Sequence, residues 1–178
     1  MSSIEDEVVP HYIDVSKASV ARVYDAFLNG KDNYEIDREV LRRIEAVAPE
    51  ATQLGWDNRE FLIRASRFLA SQTGVAQFLD CGSGLPTAEN THQVVQRINP
   101  EAKVVYVDND PVVLAHGRAL LEENDQTHLI SADIFEPREV RELAVPPAHF
   151  AGGADRHHRR FAQRDLQSLR CLAHPRES

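Results

Sequence analysis

Lysine is scarce in this sequence: 3 of its 20 cationic residues are Lys (Lys17, Lys31 and Lys103), and the rest are Arg. That bias points to a GC-rich genome and says nothing of function. Positive charge is also in deficit, with 20 Lys+Arg against 28 Asp+Glu and a net charge of −8. This excludes a protein whose main task is gripping nucleic acid or an anionic membrane, because both need a basic face. Cysteine is nearly absent. Cys81 and Cys171 lie far apart in unlike surroundings, which excludes a disulfide framework or a metal knuckle. No stretch approaches the roughly 18 consecutive apolar residues of a membrane span. The N-terminal MSSIEDEVVP is acidic and lacks the basic and apolar regions of a secretion signal. A soluble, cytoplasmic protein is the resulting expectation. What is present is globular composition: 178 residues, 42% hydrophobic and 27% charged. At about 100–200 residues per domain this allows one domain with a small appendage.

Residues 1–15 read as a polar arm. Ser16 is a candidate N-cap for a helix from Lys17 to about Leu28, with Val20, Val23, Tyr24 and Phe27 on one face. The polar segment KDNYEIDR separates it from a second helix over about Asp37 to Ala48, ended by Pro49. A third helix spans about Leu54 to Gln72, with Phe61, Leu62, Ala65, Phe68 and Leu69 expected inward. Residues 16–74 thus form an N-terminal helical segment. At Val75 the character changes. VAQFLDCGSGLP reads as a buried strand and a Gly turn, followed by a helix from Thr87 to about Ile98. KVVYVDND is a second strand. A helix from Pro111 to about Glu123 follows, with Pro at its natural first position, and THLISADI is a third strand. Strand–helix–strand–helix–strand at this spacing predicts an α/β fold with a parallel sheet, over residues 75–145.

The pattern then fails. A doubly wound domain needs an apolar fourth strand after about Val145, and residues 146–178 offer none. The charge flips as well. Residues 151–178 hold six Arg and three acids, against 14 cations and 25 acids in residues 1–150. Two plain readings compete with a nucleic-acid-binding tail, which fits least: a flexible basic extension, and out-of-frame sequence, since a shifted frame in GC-rich DNA yields Arg, Ala, Pro, Gly and His. The out-of-frame reading fits the composition best. The expectation is a poorly ordered tail, a sheet lacking its C-terminal half, and possible self-association through the open sheet edge.

The chemistry concentrates at the strand ends. Asp80 ends the first strand, and Gly82, Ser83 and Gly84 follow in a D-x-G-x-G spacing. Glycines there permit a tight turn and a close approach of ligand to backbone. The plain alternative is an ordinary strand-to-helix turn. Asp108 ends the second strand, 24 residues beyond Gly84, where nucleotide-binding folds place an acid for the ribose hydroxyls. Asn109 follows it, and Asp110 suits a helix cap. Asp133 ends the third strand, where a carboxylate can accept from an exocyclic adenine amine while Ile134 covers the ring; a cap is again the alternative. Three acids closing three consecutive strands are more specific together than any one alone.

An NAD site would use G-x-G-x-x-G with pyrophosphate on the helix N-terminus. Here Thr87 stands at the third glycine position, after Pro86, and Asp80 suits a cationic group better than a pyrophosphate. S-adenosylmethionine carries an amino group and a sulfonium and no phosphate, so the residues point to that cofactor.

The segments ARVYDAFLNGKDNYEIDR, FLDCGSGLPT, VVYVDNDPVVLAHGRALL and SADIFEP together resemble a bacterial family of S-adenosylmethionine-dependent methyltransferases long described as a domain of unknown function. The resemblance covers roughly Asp14 to Leu143. It implies a Rossmann-like class I methyltransferase fold with a seven-stranded sheet. It also implies a cofactor loop of Asp80, Gly82 and Gly84, with Asp108 at the ribose and Asp133 with Ile134 at the adenine. Members are about a hundred residues longer and continue into a fourth strand that usually carries substrate-facing residues, so this chain reads as truncated or frameshifted. Its expected function is methyl transfer to a small-molecule acceptor. The rivals are a non-catalytic remnant and an NAD-dependent oxidoreductase.

LNGKDNYEIDR, with Lys31, Asp32, Asn33 and Tyr34 in a short connection, reads either as a lid touching the cofactor's amino-acid end or the substrate, or as a solvated turn between helix caps; Lys31 and Asn33 here, and Tyr24 on the preceding helix, are further candidate cofactor contacts. His92 and His116 read as surface or boundary groups, Trp56 as a packing residue at a helix start, and Cys81 as a small packing residue. His157 and His158 have no Cys or acid at metal spacing nearby, and no metal is expected. No catalytic base is assigned.

Overall fold

A computed structural model of the chain describes residues 14–87, 89–121 and 124–144. The polar arm up to residue 13 and the tail from residue 145, with Cys171, His157 and His158, lie outside the described residues. Three helices come first: α1 (Val20–Phe27), α2 (Glu35–Val47) and α3 (Ala51–Gln72). The α/β part alternates β1 (Gln77–Cys81), α4 (Thr91–Gln96), β2 (Lys103–Asp108), α5 (Pro111–Leu120), β3 (Thr127–Ser131) and α6 (Pro137–Ala144). The three strands form one parallel sheet in the order β1-β2-β3. In its register Asp80 pairs with Tyr106 and Asp108 with Ser131, so the strand ends carrying the acids lie side by side.

Alternation along β2 sorts the core into two layers, because successive strand residues face opposite sides. Val104 and Tyr106 pack with Phe78, Leu129, Ala70 of α3, Val95 of α4 and Leu121. Val105 and Val107 pack on the other face with Leu79, Ile130 and the α6 residues Val140 and Ala144. Burial on both faces explains why β2 reads as an unbroken apolar run. The α6 helix was not legible in PREVRELA, whose charges leave only those small contacts facing inward.

Several helix limits and faces differ from expectation. Ser19 caps α1 in place of Ser16, its side chain accepting from the Arg22 amide, while Ser16 donates to Asp14. The α4 helix starts at Thr91 because Asn90 is its N-cap and its amide oxygen already takes the Thr87 N–H. On α3 the small residues Gly55, Ser66 and Ala70 are buried, while Phe61 and Phe68 are 65% and 58% exposed and Leu69 and Trp56 are also exposed. The face was misassigned because small residues let α3 approach its neighbours closely; a Cβ on Gly55 would stand 3.3 Å from Phe27 Cβ. Val20 at the start of α1 likewise faces solvent.

The N-terminal helices are tied together by buried charge. Arg22 Nε donates to Asp37 Oδ2 at 2.8 Å, with the two side chains 2% and 0% exposed. Asp37 also accepts from the amides of Ser19 (3.1 Å) and Tyr34 (2.9 Å). The Arg22 guanidinium donates to the Lys17 carbonyl and lies 5.3 Å from the Tyr34 ring centre. Buried charges need such complete pairing to be tolerated. The segment is docked on the α/β part where Ala21 and Tyr34 pack against Leu85, Val112 and Val113.

Candidate cofactor-binding site

The turn after β1 is fastened along its back. The N–H groups of Gly82 and Ser83 both donate to the Val107 carbonyl, at 2.8 and 3.2 Å. The Gly84 N–H donates to Asp108 Oδ2 at 2.9 Å. Gly82 and Gly84 have φ of 71° and 67°, a left-handed backbone that other residues adopt only at a cost. A Cβ built on either meets nothing within 4 Å, so the front of the loop faces open space. Ser83 Oγ is buried with no hydrogen-bond partner among the described residues.

The second and third strand ends complete a cleft. Asp108 Oδ1 accepts from the Asp110 amide at 2.9 Å, so each of its oxygens holds one backbone N–H. Asp110 caps α5 as expected, accepting from the Val112 amide at 2.8 Å. Asp133 lies two residues past the end of β3, not at it, and closes a turn by accepting from the Phe135 amide at 2.9 Å. A cleft of about 250 Å³ opens here, lined by Gly82, Asp108, Asn109, Ala132, Asp133, Ile134 and Phe135. Five of these were expected from sequence. Phe135, 81% exposed, and Ala132 were not; the signal for Phe135 was only its place beside Ile134.

The remaining expected residues lie elsewhere. Ser83 and Gly84 build the loop without lining the cleft. Asp80 is half-buried and accepts from Thr91 Oγ1 at 2.7 Å. Burial pushes its carboxyl above the usual range, while Thr91 and the Arg59 guanidinium act in the opposite direction. Arg59, which sequence reading missed, reaches in from α3 and donates to the Glu89 carbonyl at 2.8 Å. Tyr24, Lys31 and Asn33 do not line the cleft. The Tyr24 hydroxyl donates to the Gly55 carbonyl at 3.2 Å, and Lys31 is exposed. The Asn33 side chain donates to Asp25 and to the Gly30 carbonyl and accepts from Arg38, so it holds the turn together.

Two histidine readings separate here. His116 is a boundary group, 3.8 Å from Asp32. His92 is no surface group: it is 1% exposed, and its ring Nδ1 lies 2.8 Å from the Tyr106 hydroxyl, which also accepts from the His92 amide at 2.9 Å. Burial pushes the Tyr106 phenol far up. Cys81 is exposed as a residue, and partial desolvation of its thiol followed by the charge of Asp80 pushes that thiol up, away from reactivity.

The donor set fits the adenosine part of S-adenosylmethionine. The charged side chains lining the cleft are Asp108 and Asp133, both acceptors, beside the apolar Ile134 and Phe135. Such a lining suits hydroxyls, an amine and a flat ring; it would repel a pyrophosphate. Among the described residues, no group of His, Cys, Asp or Glu is placed to hold a metal ion, and no helix is long and apolar enough to cross a membrane.

Comparison with known proteins agrees with this geometry. No curated protein matches the chain. Among solved structures, a protein of Thermobifida fusca YX described as a candidate methyltransferase shares 50% identity, with a TM-score of 0.70, over 72% of this chain and 48% of that one. A DUF574 family protein from Streptomyces avermitilis MA-4680 shares 38% identity, with a TM-score of 0.69, over 75% of this chain and 51% of that one. The chain therefore spans about half the length of the solved structures it matches. The S-adenosyl methyltransferase family profile matches residues 6–147. With that match over most of its length and a Rossmann-like sheet carrying its acids at the strand ends, the chain belongs to the S-adenosyl methyltransferase family.

Proposed function

We propose that this chain binds S-adenosylmethionine at the C-terminal ends of its strands and serves methyl transfer to a small-molecule acceptor. The observation that carries this reading is the single cleft wall made by Gly82, Asp108, Asn109, Asp133 and Ile134, five residues from three strand ends. Asp108 would take the ribose hydroxyls: each oxygen already accepts one amide, which fixes the carboxylate in place, and each keeps a second lone pair. Asp133 would accept from the adenine amine, with Ile134 and Phe135 against the ring.

When bound, the cofactor supplies an activated methyl group, so positioning accounts for much of the catalysis and the described residues need offer no strong base. A small acceptor is favoured over nucleic acid or a membrane by the net charge of −8. Because the chain spans half of its solved relatives, turnover is part of the proposal.

Calorimetric titration of the chain with S-adenosylmethionine, S-adenosylhomocysteine and NAD tests the reading. The two adenosyl ligands should bind and NAD should bind more weakly. Asp108→Asn should lower adenosyl affinity at least about tenfold, since charge-assisted bonds contribute roughly 1.5–3 kcal/mol each. Tighter binding of NAD, or unchanged affinity in a folded Asp108→Asn, would sink the assignment.

A further inference from the structure

We propose that the outer flank of α3 is an interface between two copies of this chain, the two α3 helices packing antiparallel about a two-fold axis. The inference does not depend on the cofactor reading.

That flank is apolar at one helical spacing. Leu54, Phe61 and Phe68 recur every seven residues, and each is more than half exposed. Sevens fall nearly in line on an α-helix, so the three make one stripe about 21 Å long. Its direction follows from Arg59, which donates to the Glu89 carbonyl just ahead of α4. Phe61, two residues on, points roughly 160° around the helix from Arg59, so the stripe faces away from α4. The α5 helix packs on β3, α4 on β2, and α3 beside α4. The stripe therefore looks out on the β1 side, where the sheet ends.

The occupant that fits is a second α3. Seating Phe61 of one copy over Asn58 of the other puts Leu54 over Ala65 and Phe68 over Ala51, so each large side chain meets a short one. The same register sets Asp57 of each copy beside Arg64 of the other, giving two ion pairs related by the axis. Sliding one helix by a heptad would set Arg64 against Arg64, so charge selects the register. Both charged side chains are exposed, and their present partners, Gln53 to Asp57 at 2.8 Å and Glu60 to Arg64 at 3.2 Å, lie on the same helix. A flank complementary to itself in shape and charge favours its own copy over an unrelated helix. The exposed parts of the three large residues come to on the order of 350 Å² per copy, as large as the biggest apolar patch of an ordinary monomer. Two such flanks with their polar borders reach the low end of specific interfaces, about 1,200 Å². The dimer should therefore exchange reversibly with monomer.

Sedimentation velocity of the full chain from about 1 to about 300 µM reads the state directly and should show monomer giving way to dimer, with nothing larger. Phe61→Glu should weaken the dimer at least about tenfold, since it brings two like charges to the axis. Asp57→Arg alone should weaken it severalfold, and Asp57→Arg with Arg64→Asp should return it to within about threefold of wild type. All these positions are exposed, so the fold is retained. A wild type that stays monomeric throughout would overturn the inference. Open-ended association would also overturn it, because a two-fold pair closes on itself. A dimer that Phe61→Glu leaves intact would place the contact elsewhere, as pairing through the edge of β1 would, and a double variant no tighter than Asp57→Arg would exclude the antiparallel register.

Discussion

Aspartates serve opposite ends in the two halves of this molecule. In the N-terminal helices Asp37 is fully buried, and its two oxygens accept from Arg22, Ser19 and Tyr34. Asp25 is buried too, and one of its oxygens accepts from the Asp32 amide and the Asn33 side chain. Gly30 packs so tightly on Asp25 that a Cβ would stand 1.9 Å from its Oδ1. At the rim of the sheet, Asp80, Asp108 and Asp133 each accept one or two protein donors, and Asp108 and Asp133 line the cleft. A carboxylate whose capacity is spent inside the protein fixes the fold, and one left partly unspent beside open space is available to a ligand.

Breaking the spent kind should have the largest effect. Asp37→Ala strands a buried guanidinium and should lower stability in urea unfolding by about 3–5 kcal/mol. A loss below about 1 kcal/mol would place Arg22 in water and remove the contrast. Gly82→Ala acts on the open rim instead. Its Cβ meets no protein atom, so the fold loses only the left-handed backbone cost of about 1–2 kcal/mol. The same Cβ points into ligand space, so S-adenosylhomocysteine affinity should fall by more than stability does. Equal effects on both would show that the loop front is not a ligand surface.

The smallest effect sharpens the comparison through pH. Burial holds the Asp80 carboxyl above its ordinary range in the fold. A raised folded value means that this group favours folding most at low pH, and that the advantage is lost as pH rises through the folded value. At neutral pH the charged Asp80 therefore opposes folding. Asp80→Asn should be slightly more stable than wild type at neutral pH, with the difference shrinking on acidification. A variant less stable at neutral pH than at acid pH, relative to wild type, would make Asp80 a structural acid like Asp37.

These regions also differed in how far the sequence disclosed them. The three strands and the capped start of α5 were plain, because continuous apolar runs and a Pro after an Asp act locally. Asp108, Asn109, Asp133 and Ile134 were legible for the same reason: each lies at its strand's end or within three residues of it. Arg59 was not, because its partners Glu89 and Asp80 come from other elements and no spacing joins them. His92 was read as a surface group since the partner that buries it, Tyr106, sits on β2. The periodicity of α3 named the wrong face, because periodicity cannot say which side a helix turns inward when small residues offer a closer fit than phenylalanines.

Asp110 has a consequence for how the halves cohere. One of its oxygens starts α5, and the other takes the Ser19 hydroxyl at 2.5 Å, a residue 91 positions away that itself starts α1. Two helix beginnings from opposite ends of the described chain thus hang on one carboxylate. Fraying at either should propagate to the other, making the helical segment and the α/β half a single cooperative unit and not two modules that open independently.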